Sequence, residues 1–169
     1  TGDQDTRPAN TAPAGFDPNT PPQFNVLGQY VKDFSFENPN APASLQPKQQ
    51  QPQIQIGVNV NGQPRSETDY EVSLKIEARA GEGNDMLFNI EVDYGGLVRV
   101  QNIPAEHVHA TVLIEGPRLL FPFVRQIVAD VTRNGGFPPL MIDPIDFAML
   151  YRQRMMQAEQ ENGAQGPAN

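Results

Sequence analysis

Apolar and polar residues alternate through the first two thirds of the chain, and the alternation predicts four strands. From Phe24 to Glu37, period two puts Phe24, Val26, Tyr30, Phe34 and Phe36 on one face. Gln53–Asn61 repeats the pattern with Ile54, Ile56, Val58 and Val60, and Asp69–Ala80 with Tyr70, Val72, Leu74 and Ile76. Met86–Tyr94 adds Phe88, Ile90 and Val92, after which Gly95-Gly96 is expected to break the strand. "VNGQPRSE" and "AGEGND" carry turn residues. Short links between strands predict an antiparallel meander with one apolar and one polar face. The Glu37–Pro52 connection, with Pro39, Pro42, Pro47 and Pro52, is too long for a hairpin and reads as a stiff crossover.

The period then changes from two to that of a helix. Pro104–Leu113 is a short candidate and Pro117–Asn134 a stronger one, with proline near its start and "NGG" as its stop. On a helical wheel the apolar residues of Pro117–Asn134 cover roughly 200°. Packing on a single sheet needs only about 100°, so this helix is expected to bury two sides. Leu120, Phe123, Val124, Ile127, Val128 and Val131 are the candidates for the second, intermolecular contact. A last helix is expected from "DPID", with Asp143 as N-cap, running through Phe147, Met149, Leu150 and Tyr151 to Met156.

Composition sharpens this picture at the ends of the chain. Residues 1–22 hold five prolines among polar and small residues, and residues 157–169 are polar and small. Neither has enough apolar content to form a core, so both are expected to be disordered tails flanking one domain, residues 23–156. The formal net charge is −8, and no lysine–arginine cluster offers a nucleic-acid footprint. The sequence has neither an apolar run long enough to span a membrane nor a signal-peptide pattern, so the simplest location is the cytoplasm.

Candidate chemistry is sparse. There is no cysteine for disulfides, thiol catalysis or thiolate metal sites. On a helix, His107 and His109 point about 200° apart and cannot share a metal; on a strand they could share a face, but surface or core-edge histidines are the simpler reading. The glycine pairs lack phosphate-loop spacing, and the carboxylates sit on polar strand faces. An enzyme is poorly supported, and no cofactor is implied. The excess of apolar surface on the strands and helices points instead to oligomerisation, an exposed binding groove, or both.

Three motifs carry a resemblance: "YVKDFSFENPNAP", "EVDYGG" and "LLFPFVRQIVADVTRNGGFPPLMIDPIDF". In this order and spacing, over Phe24–Met156, the chain resembles the SecB protein-export chaperones. The resemblance implies an α+β protomer, a four-stranded antiparallel sheet with helices on one face, and a tetramer formed as a dimer of dimers. It implies a cytosolic holdase that binds unfolded precursor proteins, keeps them translocation-competent and delivers them to the translocase ATPase SecA. No hydrolysis or membrane insertion is part of that role. Carried over by position, the SecA-facing surface matches Asp33, Glu37 and Glu91, with Asn89 where the family often has leucine. The client groove matches Phe34, Phe36, Pro39, Pro42, Phe88, Tyr94, Leu140, Met141 and Met149. The alternative within the same fold is an accessory chaperone controlling a toxin–antitoxin pair.

Overall fold

A computed structural model describes residues 15–164. Four antiparallel strands form one sheet: β1 (Gln23–Glu37), β2 (Ile54–Pro64), β3 (Asp69–Ala80) and β4 (Phe88–Gln101). Two helices follow, α1 (Ala105–Asn134) and α2 (Phe147–Ala164). The fold class is therefore as expected, α+β with a four-stranded antiparallel sheet.

The strand order corrects the meander. The sheet runs β1-β4-β3-β2, so only β2, β3 and β4 follow one another by hairpins. The proline-rich crossover carries the chain from one edge of the sheet to the other, a Greek-key return. Asn38 and Asn40 tie it down on the way. Asn38 Nδ2 donates to the Gly135 carbonyl (3.2 Å), and Asn40 Nδ2 donates to those of Met86 (2.9 Å) and Asn84 (3.0 Å). Ser44 is buried and donates to Asn38 Oδ1 (2.8 Å).

Two strands run longer than expected, both through glycines. β2 continues past Asn61-Gly62, and the turn falls at residues 65–68. β4 passes through Gly95-Gly96 instead of ending there. The reason is close approach. A Cβ on Gly95 would lie 2.5 Å from the Tyr30 ring, and one on Gly96 would lie 2.8 Å from Leu120 Cδ2. The bare backbone of β4 thus accepts an aromatic ring on one face and a helix on the other.

Register corrects the reading of β1. Phe34 and Phe36 pair with Val92 and Ile90, on the helix side, and Phe24 and Val26 pair with Val100 and Val98. Irregularities at Val26/Gly28 and Val31/Asp33 bracket a short segment whose faces are exchanged. Tyr30 pairs with Gly95, so it lies on the outer face, not with Phe34. Val31 and Gln29 take the helix side, and Gln29 Oε1 accepts from the Tyr94 hydroxyl (3.3 Å).

The two helices expected over Pro104–Leu113 and Pro117–Asn134 are one. Pro117 and Pro122 sit inside a continuous 30-residue α1. Each proline removes one backbone bond, but the helix is held along its length by the sheet. Val112, Leu113, Leu120, Val124 and Val128 are buried with Val72, Leu74, Ile90 and Val92 in one core. At Gly116 a Cβ would meet Val72 Cγ2 at 2.8 Å, which is how closely the helix approaches β3.

The start of α2 also differs. Asp146, not Asp143, is its cap: Asp146 Oδ1 accepts from the Met149 amide (3.0 Å). α2 packs beside α1, where His109 Nδ1 and the Tyr151 hydroxyl are 2.9 Å apart. It runs eight residues beyond Met156, to Ala164, into the segment expected to be a tail. At the other end, the Asn102 side chain accepts from the Asp17 amide (2.7 Å) and donates to its carbonyl (3.0 Å), holding part of the other expected tail against the sheet. The rest of both tails, 1–14 and 165–169, lies outside the described residues.

Candidate binding surfaces on the two faces of the sheet

The outer face gathers the four residues expected at the SecA contact. Glu37 is the cross-strand partner of Asn89, Ser35 of Glu91, and Asp33 of Asp93. β3 adds Lys75, Glu77 and Arg79 beside them. Lys75 Nζ lies 2.5 Å from Glu91 Oε1 and 3.4 Å from Glu77 Oε1. The Glu91 hydrogen bond, with the charge of both glutamates, raises the lysine's pKa above its ordinary value. Asp93 accepts a hydrogen bond from the Ser73 hydroxyl. Asp33 Oδ1 accepts only from the neighbouring Phe34 amide (3.0 Å). Among the described residues, neither Asp33 nor Glu37 is ion-paired.

Further along this face, Glu71 is buried between two cations that sequence reasoning missed. Lys32 reaches it from β1, across β4, and Arg65 reaches it from the hairpin loop, with Arg65 Nε 3.1 Å from Glu71 Oε2. The Lys32 hydrogen bond, then that of Arg65, holds the glutamate below its ordinary pKa, and the same contact raises Lys32. Burial and the Glu71 charge push the Tyr30 phenol up. Lys32 is the unpaired residue of the second β1 irregularity. Nothing in the alternation pattern announces it.

The helix side is apolar and incompletely covered. Phe34 is 42% exposed, Met141 53% and Met149 47%. Pro39 and Pro42 are exposed on the crossover. Phe36 and Leu140 are partly buried against the core. Phe88 and Tyr94, expected in the groove, are core residues instead. Phe88 packs between Phe36 (centroids 6.4 Å apart) and Phe137 (5.2 Å). Tyr94 lies under Phe123, the rings nearly parallel at 6.1 Å. The exposed apolar set includes Val31, Leu45, Ile54, Ile56 and Leu119, none of which is among the expected groove residues. For Ile54 and Ile56 the signal was the alternation itself: both occupy inward positions at the start of β2 and are left exposed there.

The six α1 residues expected at an intermolecular contact divide. Leu120, Val124 and Val128 have no exposed surface in the protomer, being used by its own core. Phe123 is 45% exposed, and Ile127 and Val131 are partly buried at the core margin. Among the described residues no helix is long and apolar enough to cross a membrane, and no group of three or more histidine, cysteine, aspartate or glutamate residues could hold a metal ion.

An antiparallel sheet with helices on one face only, an acidic outer face and a part-covered apolar inner face define an α+β binding protein. Residues 17–158 match the family model described as SecB, preprotein translocase subunit SecB. The chain is 58% identical over 143 residues to "Protein-export protein SecB" of Brucella canis, covering 85% of this chain and 88% of that protein. It is 59% identical over 140 residues to the protein of the same name from Brucella ovis, covering 83% and 86%. A solved structure, the Mycobacterium tuberculosis Rv1957 SecB-like chaperone in complex with a ChAD peptide from the Rv1956 HigA1 antitoxin, shares the fold. Its TM-score is 0.54 at 16% identity, over 72% of this chain and 90% of that one. The chain belongs to the SecB family, a chaperone family not known for enzymatic activity.

Proposed function

We propose that this protein is a cytosolic export chaperone that holds unfolded precursor proteins on its inner, apolar face and docks SecA on its outer, acidic face. The observation that carries the reading is the 58–59% identity, over most of the chain, to proteins named for protein export. The two-faced sheet supports it physically. Phe34, Phe36, Leu140, Met141 and Met149 offer apolar surface to extended client segments, which bind by burying side chains with little sequence demand. Methionine adapts to varied partners. Asp33, Glu37 and Glu91 offer negative charge to a basic partner, and Asn89 replaces an apolar neighbour with a polar one. Phe123 with Ile127 and Val131 forms the candidate surface for a second copy, and membership of the family favours a tetramer built as a dimer of dimers. Control of a toxin–antitoxin pair is the weaker reading, since the structure associated with it is only 16% identical.

The test is a pair of charge reversals, Asp33→Lys and Glu91→Lys. Both are expected to weaken SecA binding measured by calorimetry, while retention of an unfolded client and the native mass stay as in the parent protein. Unchanged SecA affinity in both variants would refute the docking face. A parent protein that leaves precursor refolding unaltered would refute the holdase.

A further inference from the structure

The carboxylates of the outer face are not equally available. Glu77 and Glu91 are direct cross-strand partners, and like charges in that position oppose each other. Lys75 stands between them, 2.5 Å from Glu91 and 3.4 Å from Glu77. Its own cross-strand partner, Asp93, accepts from Ser73. On the edge strand, Asp33 and Glu37 form no ion pair among the described residues. Arg79, on the same face and opposite Asn89, forms no ion pair among the described residues.

We propose that Lys75 is a built-in competitor that occupies Glu91 until a partner's cation displaces it. The inference rests on the outer face being a docking surface for a basic partner. A partner meets Asp33 and Glu37 first, and gains Glu91 only by supplying a further positive charge in the place of Lys75. A single stray cation does not repay that exchange, whereas a segment with several does, so Lys75 sets a threshold of charge for stable docking. Lys75 also keeps Glu77 and Glu91 from repelling each other in the unoccupied protein. Its removal therefore acts with opposite signs on stability and on binding.

The test uses the full chain and a fluorescein-labelled peptide of alternating lysine and alanine, with binding read by anisotropy at low and at physiological ionic strength. Lys75→Gln is expected to tighten binding by about two- to five-fold, the size of an exposed ion pair, and to lower the urea midpoint. Lys75→Arg is expected to restore both values. In a Glu91→Gln background, Lys75→Gln is expected to tighten binding no more than Arg79→Gln does. Arg79→Gln makes the same change in net charge on the same face and is expected to tighten binding less. Equal tightening by Arg79→Gln, or undiminished tightening by Lys75→Gln without Glu91, reduces the effect to general electrostatics and overturns the proposal. So does unchanged or weaker binding by Lys75→Gln. If the parent protein fails to bind the peptide, or binds it regardless of Asp33→Lys, the docking face itself falls and the competitor role with it.

Discussion

Replacing Leu120 with alanine separates what α1 does for its own protomer from what it offers to a second one. Leu120 has no exposed surface, and its side chain seats on the bare backbone of Gly96. Truncation leaves a cavity that the rigid strand beneath cannot fill, so the cost is about 3 kcal/mol, within the range of about 2–5 kcal/mol for such changes. For a chain of this size that lowers Tm by about 6–12 °C. Three residues on, Phe123 is half exposed and rests on Tyr94. Fully burying such a side chain is worth about 1.5–3 kcal/mol, so its truncation costs the isolated protomer about half of that. The remaining area is free for a partner copy. Scanning calorimetry at two protein concentrations, with native mass spectrometry, reads both effects. Leu120→Ala should lower Tm at every concentration. Phe123→Ala should cost less stability and shift the assembly towards smaller species on dilution. If Leu120→Ala dissociated the assembly without lowering Tm, the assignment of that face to the protomer core would be wrong. Equal, concentration-independent losses in the two variants would contradict the division of the helix.

Three further predictions follow from the outer face and from β1. Glu71 has a depressed pKa, so its ion pairs stabilise the protein above the ordinary glutamate value of 4.5 and fade as pH falls below it. The stability difference between the parent and Glu71→Gln should be present at neutral pH and shrink below about pH 4.5, and a difference that grew with acid would reverse the sign of the argument. Gly95→Ala should destabilise because its Cβ meets the Tyr30 ring at 2.5 Å, and Tyr30→Ala should relieve most of that penalty in a double-mutant cycle. Additive losses would mean that the two do not touch. Deleting Lys32 removes the unpaired residue of the second β1 irregularity and leaves the pairing of Val31 with Tyr94 and Asp33 with Asp93 intact. The deletion should therefore be about as stable as Lys32→Ala in urea unfolding, and a much larger loss would show that the register is different.

Much of the fold was legible because its apolar positions obey simple periods. The alternations in β2 and β3 placed Ile54, Val58, Val72, Leu74 and Ile76 on the face where they lie, and the motif resemblance named the family. β1 was legible only at its ends. Tyr30 is four residues from both Val26 and Phe34, so period two puts all three together. Two extra residues, one on each side of Tyr30, exchange the faces and then restore them, and nothing in the alternation pattern marks where such a bulge falls. Gly95-Gly96 and Pro117 misled for a related reason. Each is a breaker by local preference, and each is overruled by tertiary contact: Tyr30 and Leu120 need the missing side chains, and the sheet holds the helix across its proline. The candidate surfaces were found as a set of faces, but not their internal pairing. Alternation put the carboxylates on the polar strand faces, and only the register brought Lys75 within 2.5 Å of Glu91.

The edge strand explains how one thin sheet serves two surfaces without confusing them. From Asp33 to Glu37, successive side chains of β1 leave opposite faces, so Phe34 and Phe36 contribute to the apolar side and Asp33 and Glu37 to the acidic one. A substitution on either set leaves the backbone ladder to β4 unchanged, because that ladder uses main-chain groups only. The two proposed activities are therefore separable by point mutation although their residues are adjacent in sequence. They are not separable by insertion. One added residue between Phe34 and Phe36 would turn the following side chains over, sending an aromatic ring to the acidic face and a carboxylate to the apolar one. At such a site the register of β1 matters more than the identity of any single residue in it. Two side-chain contacts accompany that register: Tyr30 over Gly95, and Lys32 with Glu71.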